Sequence, residues 1–162
     1  MTGRLKGLFT ALLLLTLCGG GAAGQGVGGG VGARELIARG NARYARAEYE
    51  AAIKVYALVP PEAGDGYAQA LYNIGVCRFE LWQTEEAARF YGLAVAARGG
   101  RYPRASYALG VALEELGRAA EAKDAYTRAA AGPGAGYAPA HYKLGILAAG
   151  EGDVARAASH FR

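Results

Sequence analysis

Few side chains of this sequence could perform nucleophilic or metal chemistry, and their spacing argues against both. Ser159 and His160 are adjacent, and adjacent residues of a helix point in different directions, so they cannot form a nucleophile–base pair. His141 and His160 fall on different predicted helices, and no cysteine or carboxylate cluster stands at metal-ligand spacing from them. We therefore predict packing or surface roles for both histidines and no catalytic residue, metal or cofactor, so the protein is not expected to be an enzyme.

Two further features have the form of a chemical motif. Gly24, Gly26 and Gly29 match the spacing of a dinucleotide-binding loop, but they follow an apolar segment and no strand–helix–strand unit surrounds them. Cys77 lies among apolar residues of a predicted helix, which is typical of an inert core thiol. Neither feature predicts a reaction or a bound nucleotide.

The first 24 residues have the pattern of an export signal. Arg4 and Lys6 precede an uninterrupted apolar run over residues 8–17, which has the length of a signal-peptide core and is too short to span a bilayer. Small residues follow, so cleavage after Ala23 or Gly24 is expected, and the alternative is an uncleaved membrane anchor. We predict an exported protein that is periplasmic, secreted or associated with the cell envelope.

Cys18 leaves a second form of the amino terminus open. The sequence from Leu15 to Cys18 resembles a bacterial lipobox, although Leu17 stands where glycine or alanine usually precedes the lipidated cysteine. If Cys18 is lipidated, residues 19–32 become a flexible tether to a membrane. If it is cleaved away, residues 25–32 remain as a glycine-rich leader, and the single cysteine left cannot form an intramolecular disulfide.

The charge of the repeat region gives no reason to expect a nucleic-acid partner. Two of the 18 basic residues lie in the signal segment, whereas all 14 acidic residues follow it, so the net charge of +4 falls to +2 without that segment. A basic protein that binds nucleic acid carries a much larger and clustered excess. We expect a protein or peptide partner instead.

Three segments of the chain align without gaps at a spacing of 35 residues: 67–76, 102–111 and 137–146. Each begins with tyrosine, has tyrosine at its sixth residue and glycine at its ninth. An alanine follows 12 residues after each glycine and an aromatic residue 16 after it. An earlier, divergent copy keeps the last three features. The glycines are Gly40, Gly75, Gly110 and Gly145, and the aromatics are Tyr56, Tyr91, Tyr126 and Phe161. This pattern predicts units at about 33–67, 68–102, 103–137 and 138–162, the last one cut short.

Each unit has the apolar spacing of two helices joined by a tight turn. Gly117 and Gly152 occupy that turn in two copies, and Trp82 stands there in another. A glycine inside a helix costs roughly 1 kcal/mol relative to alanine, so the repeated glycines indicate a close approach of the two helices. We expect the small alanine to face the glycine and the aromatic ring to fill space towards the next unit.

These positions resemble the tetratricopeptide repeat, most clearly in the third copy. That copy has Leu109-Gly110, Gly117, Ala122, Tyr126 and Ala129 at the corresponding places. The resemblance covers residues 33–162 and implies an all-α, right-handed superhelical solenoid of antiparallel helix hairpins with about four repeats. It also implies a scaffold that binds other proteins, and together with the export signal it favours a protein of the bacterial cell envelope.

The resemblance further implies a concave groove lined by the first helix of each unit. The groove would carry a row of tyrosines beside a row of aliphatic residues: Tyr72, Tyr107 and Tyr142 with Val76, Val111 and Ile146. The alternative is that these side chains pack between neighbouring first helices. Some such domains hold a carboxylate in a five-residue clamp. Asn41, Asn73 and Arg104 suit that clamp, but Ile37 and Ala108 replace two cations, so we expect no working clamp.

Two functional readings and two accessory surfaces remain open. The protein is expected to be a non-catalytic adaptor that holds an envelope protein or peptide; the alternative is an accessory regulatory subunit of an envelope enzyme complex for cell-wall or outer-membrane assembly. Trp82 either contacts a partner or packs on the next unit. Because solenoid ends usually need a polar cap, the short last unit also suggests self-association through the C-terminal repeat.

Overall fold

The computed structural model describes residues 32–132 and 137–162. The predicted signal segment, Cys18 and residues 25–31 of the leader lie outside the described residues. Within the described ranges the chain forms helices and turns, and no strand occurs there. None of these helices is long and apolar enough to cross a membrane. The predicted all-α fold class is confirmed.

The described part of the chain contains eight α-helices that pair into four hairpins. The helices are α1 (Ala33–Tyr44), α2 (Tyr49–Tyr56), α3 (Asp65–Glu80), α4 (Thr84–Ala97), α5 (Pro103–Glu115), α6 (Ala119–Ala130), α7 (Ala138–Gly150) and α8 (Val154–His160). A short 3-10 helix (Pro61–Ala63) precedes α3. The first residue of α5 and the second of α7 are prolines, positions whose missing N–H would have no partner inside the helix. Because α3 begins at Asp65, the expected boundary after residue 67 falls inside that helix.

The turn inside every hairpin has the same left-handed residue at its centre. Gly117 and Gly152 have φ of 73° and 77°, and Ala47 and Trp82 adopt φ of 57° and 60° at the equivalent places. In the second hairpin the Trp82 amide donates to the Phe79 carbonyl and the next amide donates to the Arg78 carbonyl, both at 2.9 Å. This is the hydrogen-bonding pattern of a Schellman helix end, which glycine adopts most cheaply. The first two turns therefore keep the geometry without the preferred residue.

The repeated glycines make room for the aromatic ring of their own hairpin. A methyl group on any of these glycines would come within 3.0 Å of the ring 16 residues later in the sequence. The pairs are Gly40 with Tyr56, Gly75 with Tyr91, Gly110 with Tyr126, and Gly145 with Phe161. The expectation that the ring points towards the next unit is wrong. It lies across the glycine, so the cost of a helical glycine is offset by burying an aromatic side chain.

Successive hairpins pack through the second helix of one and the first helix of the next. Thus α2 contacts α3, α4 contacts α5, and α6 contacts α7. Alanines such as Ala94 and Ala105 are fully buried in the contact between α4 and α5, which lets the two helices lie close. The core is consequently a chain of linked clusters, and each hairpin is buried by its neighbours.

Candidate protein-binding groove

The first two tyrosines of the predicted row are each held between two other aromatic rings. The Tyr72 ring in α3 lies 5.7 Å, centroid to centroid, from the rings of Tyr91 and Tyr102. One unit later, the Tyr107 ring in α5 lies 5.6 Å from Tyr126 and 5.4 Å from Tyr137. All four ring pairs are tilted, a favourable arrangement at these separations. Tyr72 and Tyr107 are therefore half-buried, and both expectations for the row, exposure to a groove and packing, describe part of each ring.

The third tyrosine of the row is far more exposed. Tyr142 in α7 contacts the Phe161 ring at 5.9 Å, and 61% of its surface is accessible. Ile146, one turn further along the helix, is 46% accessible. These two side chains continue the pattern of Tyr107 and Val111 onto an open surface.

Two pockets open along the first helices, and the Tyr72 ring forms part of the wall of both. One, of about 230 Å³, lies between α1 and α3, and its walls include Asn41, Asn73 and Val76. The other, also about 230 Å³, lies between α3 and α5, and its walls include Arg104, Tyr107 and Val111. The predicted groove residues of these three helices thus line two adjacent hollows. We call this surface the tyrosine groove: the two pockets together with Tyr142 and Ile146.

Two of the polar groove residues are engaged with each other. The Asn41 side-chain oxygen accepts a hydrogen bond from the Tyr56 hydroxyl at 2.7 Å and another from the Asn73 amide at 3.2 Å. These bonds tie α1 to α2 and α3. Arg104 is exposed, and its charge opposes the effect of burial, which raises the pKa of Tyr72. Asn41 and Asn73 therefore serve packing first, and Arg104 is the groove cation available to a partner.

Glu114 has a role that the sequence did not reveal. The sequence placed it on a solvated helix face, but it accepts hydrogen bonds from the Tyr126 hydroxyl at 2.6 Å and from Lys143 of α7 at 2.8 Å. Lys143 and then Tyr126 lower the pKa of this carboxyl group. The missed signal is a combination: a carboxylate one turn after the helical glycine, with lysine at the matching place of the next unit.

Trp82 does not pack on the next unit. Its side chain is 89% accessible at the turn between α3 and α4, so that expectation is wrong, and its contact with a partner stays a prediction. Cys77 is fully buried in α3, and burial raises the pKa of its thiol to about 11. Such a thiol is a poor nucleophile, in agreement with the role of a small core residue.

The groove is suited to binding and shows no arrangement for catalysis among the described residues. In residues 32–132 and 137–162 no three histidine, cysteine or acidic side chains gather into a metal-binding group. What the groove offers is half-exposed aromatic and aliphatic surface, phenol hydroxyls and one guanidinium group. Surfaces of this kind recognise apolar side chains and orient them with a few hydrogen bonds.

Comparison with known proteins agrees with the repeat and the fold. The family model of the tetratricopeptide repeat matches residues 104–131, which cover the hairpin of α5 and α6. The crystal structure of MamA is similar with a TM-score of 0.65 and 22% identity, over 80% of this chain and 74% of that one. Pseudomonas aeruginosa pilF is similar with a TM-score of 0.64 and 20% identity, over 79% of this chain and 57% of that one. MamA from Desulfovibrio magneticus RS-1 gives 0.59 and 23%, over 80% and 71%.

The helical part is therefore a solenoid of hairpins with the tetratricopeptide fold. Its third hairpin is the one whose sequence matches the family model. At these identities the solved structures establish the fold alone, and this chain spans little more than half of pilF. No curated protein matches significantly.

Proposed function

We propose that the protein is a non-catalytic scaffold that binds a protein or peptide in the tyrosine groove. The observation that carries the proposal is the pair of adjacent pockets that share the Tyr72 ring. A helix-hairpin solenoid whose pockets are walled by partly exposed aromatic and aliphatic side chains has the form of a peptide-binding surface. The tetratricopeptide fold, common in protein-interaction domains, supports the same reading.

The groove favours a ligand with apolar side chains over one recognised by its terminal carboxylate. Val76 and Val111 line separate pockets, and each is flanked by tyrosine rings that give contact area at low entropic cost. A carboxylate clamp would need cations at Ile37 and Ala108, and the side-chain oxygen of Asn41 is already bonded within the protein. Arg104 can orient one acidic or carbonyl group of the ligand.

We further propose that the scaffold works in the bacterial cell envelope. The proposal rests on the signal-like sequence of residues 1–24, followed by a glycine-rich leader. Cys18 or an uncleaved signal would give a membrane tether. Mass spectrometry of the mature amino terminus decides among these forms. A lipidated Cys18, a start at residue 24 or 25, or an intact Met1 in the membrane fraction each fits export, whereas an intact Met1 in the soluble cytoplasm would contradict it.

Paired charge substitutions test the groove. Val76→Glu with Val111→Glu places two carboxylates in the pockets, while Leu58→Glu with Leu93→Glu places two on exposed apolar positions that line neither pocket. Circular dichroism first establishes that both variants remain folded. Quantitative affinity capture from envelope extracts is then expected to lose the specific partner only with the groove variant. Equal recovery by both variants would refute the groove as the binding surface.

A further inference from the structure

The last hairpin brings together the two histidines of the chain. His141 lies in α7 and His160 is the last residue of α8, and their Nδ1 atoms are 3.3 Å apart. Their ring centroids are separated by 5.6 Å with the planes tilted by 45°. The sequence predicted unrelated packing or surface roles, and the hairpin instead makes a pair of facing imidazoles. Sequence separation hid this pairing because the two residues lie on opposite helices.

The same two repeat positions are apolar or small in the other three hairpins. Counting back by the 35-residue period gives the pairs Leu36 and Val55, Leu71 and Phe90, and Ser106 and Ala125. Leu71 and Phe90 belong to one hydrophobic cluster, as do Leu36 and Val55. Packing of the hairpin therefore does not require imidazoles at these positions. Two histidines in the fourth hairpin need a reason other than the fold.

We propose that His141 and His160 form a binding site for a divalent transition metal ion such as Zn²⁺. Two nitrogen ligands at the usual zinc distance of about 2.0–2.1 Å, with a tetrahedral angle between them, lie about 3.3–3.4 Å apart. The observed separation of 3.3 Å between the Nδ1 atoms has this value, so a metal can be held with little movement of either ring. Because the ligands come from α7 and α8, coordination joins the two helices.

The site is open enough for an ion to enter and for water to complete its coordination. Both histidines are half-buried and line a cavity of about 350 Å³ whose walls also include Tyr142, Phe161 and Arg162. Within the described ranges no third histidine, cysteine or carboxylate joins the pair, so water fills the remaining positions. In the metal-free pair one ring donates its Nδ1 proton to the other, and coordination places that proton on Nε2 instead. The charge of Arg162 opposes the ion and makes the site one of moderate affinity.

Metal titration of the full chain, purified without a histidine tag, tests the proposal. Isothermal titration with ZnCl₂ is expected to show one ion per chain, and thermal unfolding is expected to shift upwards by about 5 °C at a tenfold excess of zinc over its dissociation constant. The matched control is His141→Leu with His160→Phe, which reproduces the pair of the second hairpin. A second control, His141→Ser with His160→Ala, reproduces the pair of the third and serves if the first does not fold.

The controls separate this site from zinc bound elsewhere. Loss of the zinc heat and of the thermal shift in a folded control, with both retained in the original chain, supports the site. Binding of zinc with unchanged affinity by a folded control would overturn it, as would no binding by the original chain at millimolar zinc. The site is independent of the tyrosine groove and of its partner, so either proposal can fail alone.

Discussion

The third and fourth hairpins carry matching residues in very different surroundings. Tyr126 of the third is fully buried, while Phe161, its counterpart 35 residues later, is 52% accessible. Tyr107 lies between two rings, whereas Tyr142 contacts one. The following hairpin supplies the missing cover in the third unit, through α7 and the Tyr137 ring. A repeat position thus determines which residue a ring packs on, and the neighbouring unit determines how deeply it is buried.

The largest difference between the two hairpins is expected when the ring is removed. Tyr126→Ala should destabilise the protein by about 3–5 kcal/mol, the usual cost of deleting a buried aromatic side chain. Phe161→Ala should cost about 1 kcal/mol, because much of that ring is already in contact with water. Urea unfolding followed by circular dichroism measures both. Equal losses would show that burial by the next hairpin does not govern the stability of these rings.

A methyl group added to the helical glycine is expected to separate the hairpins next. Gly110→Ala would bring its Cβ within 3.0 Å of the Tyr126 ring, which is fully enclosed and cannot turn away. A loss of about 1–3 kcal/mol is expected from this overpacking. Gly145→Ala meets the Phe161 ring, which can swing into solvent, so the change should stay within about 1 kcal/mol. Thermal unfolding of the two variants provides the comparison.

The regularity of the repeat explains how much of this structure could be predicted from sequence. Spacing alone indicated paired helices, the helical glycines and the row of Tyr72, Tyr107 and Tyr142, because each repeats at a fixed interval. Spacing could not show where a ring points, and so it placed the aromatic side chains towards the wrong neighbour. It also missed contacts made once only, such as Glu114 with Lys143, since these depend on the distance between helices of different units.

The turns of the second and third hairpins offer a comparison in which the second should gain stability. Trp82→Gly replaces an exposed side chain at a φ of 60° with the residue that suits this conformation, and a gain of about 1 kcal/mol is expected. Gly117→Ala introduces the same strain at a φ of 73° and should lose about 1 kcal/mol. Chemical denaturation measures both. A loss of stability in Trp82→Gly would reveal a structural contact of the indole.

The smallest expected effect concerns pH and the contact of α5 with α7. The folded-state pKa of Glu114 lies below its ordinary value, so the stabilisation is complete above about pH 4.5 and is lost as the pH falls through the folded pKa. Because Glu114 is exposed, we expect Glu114→Gln to remove about 0.5 kcal/mol at pH 7 and less at pH 3. The fourth hairpin has Ala149 at the equivalent position.

Denaturation at several pH values, combined with Lys143→Met in a double-mutant cycle, isolates this ion pair from the other carboxylates. A cycle energy that does not decrease towards pH 3 would contradict the assignment of the contact to the ionised Glu114 carboxylate.

The central claim, that the tyrosine groove binds a protein partner, is tested most directly by site-specific photo-crosslinking in the living cell. A photoreactive phenylalanine replaces Val111 in the pocket between α3 and α5, or Leu93 on the exposed surface of α4 as a control. We predict one dominant crosslinked protein from position 111 that Val76→Glu abolishes, and no such product from position 93. The same product from position 93, unaffected by Val76→Glu, would contradict binding through the groove.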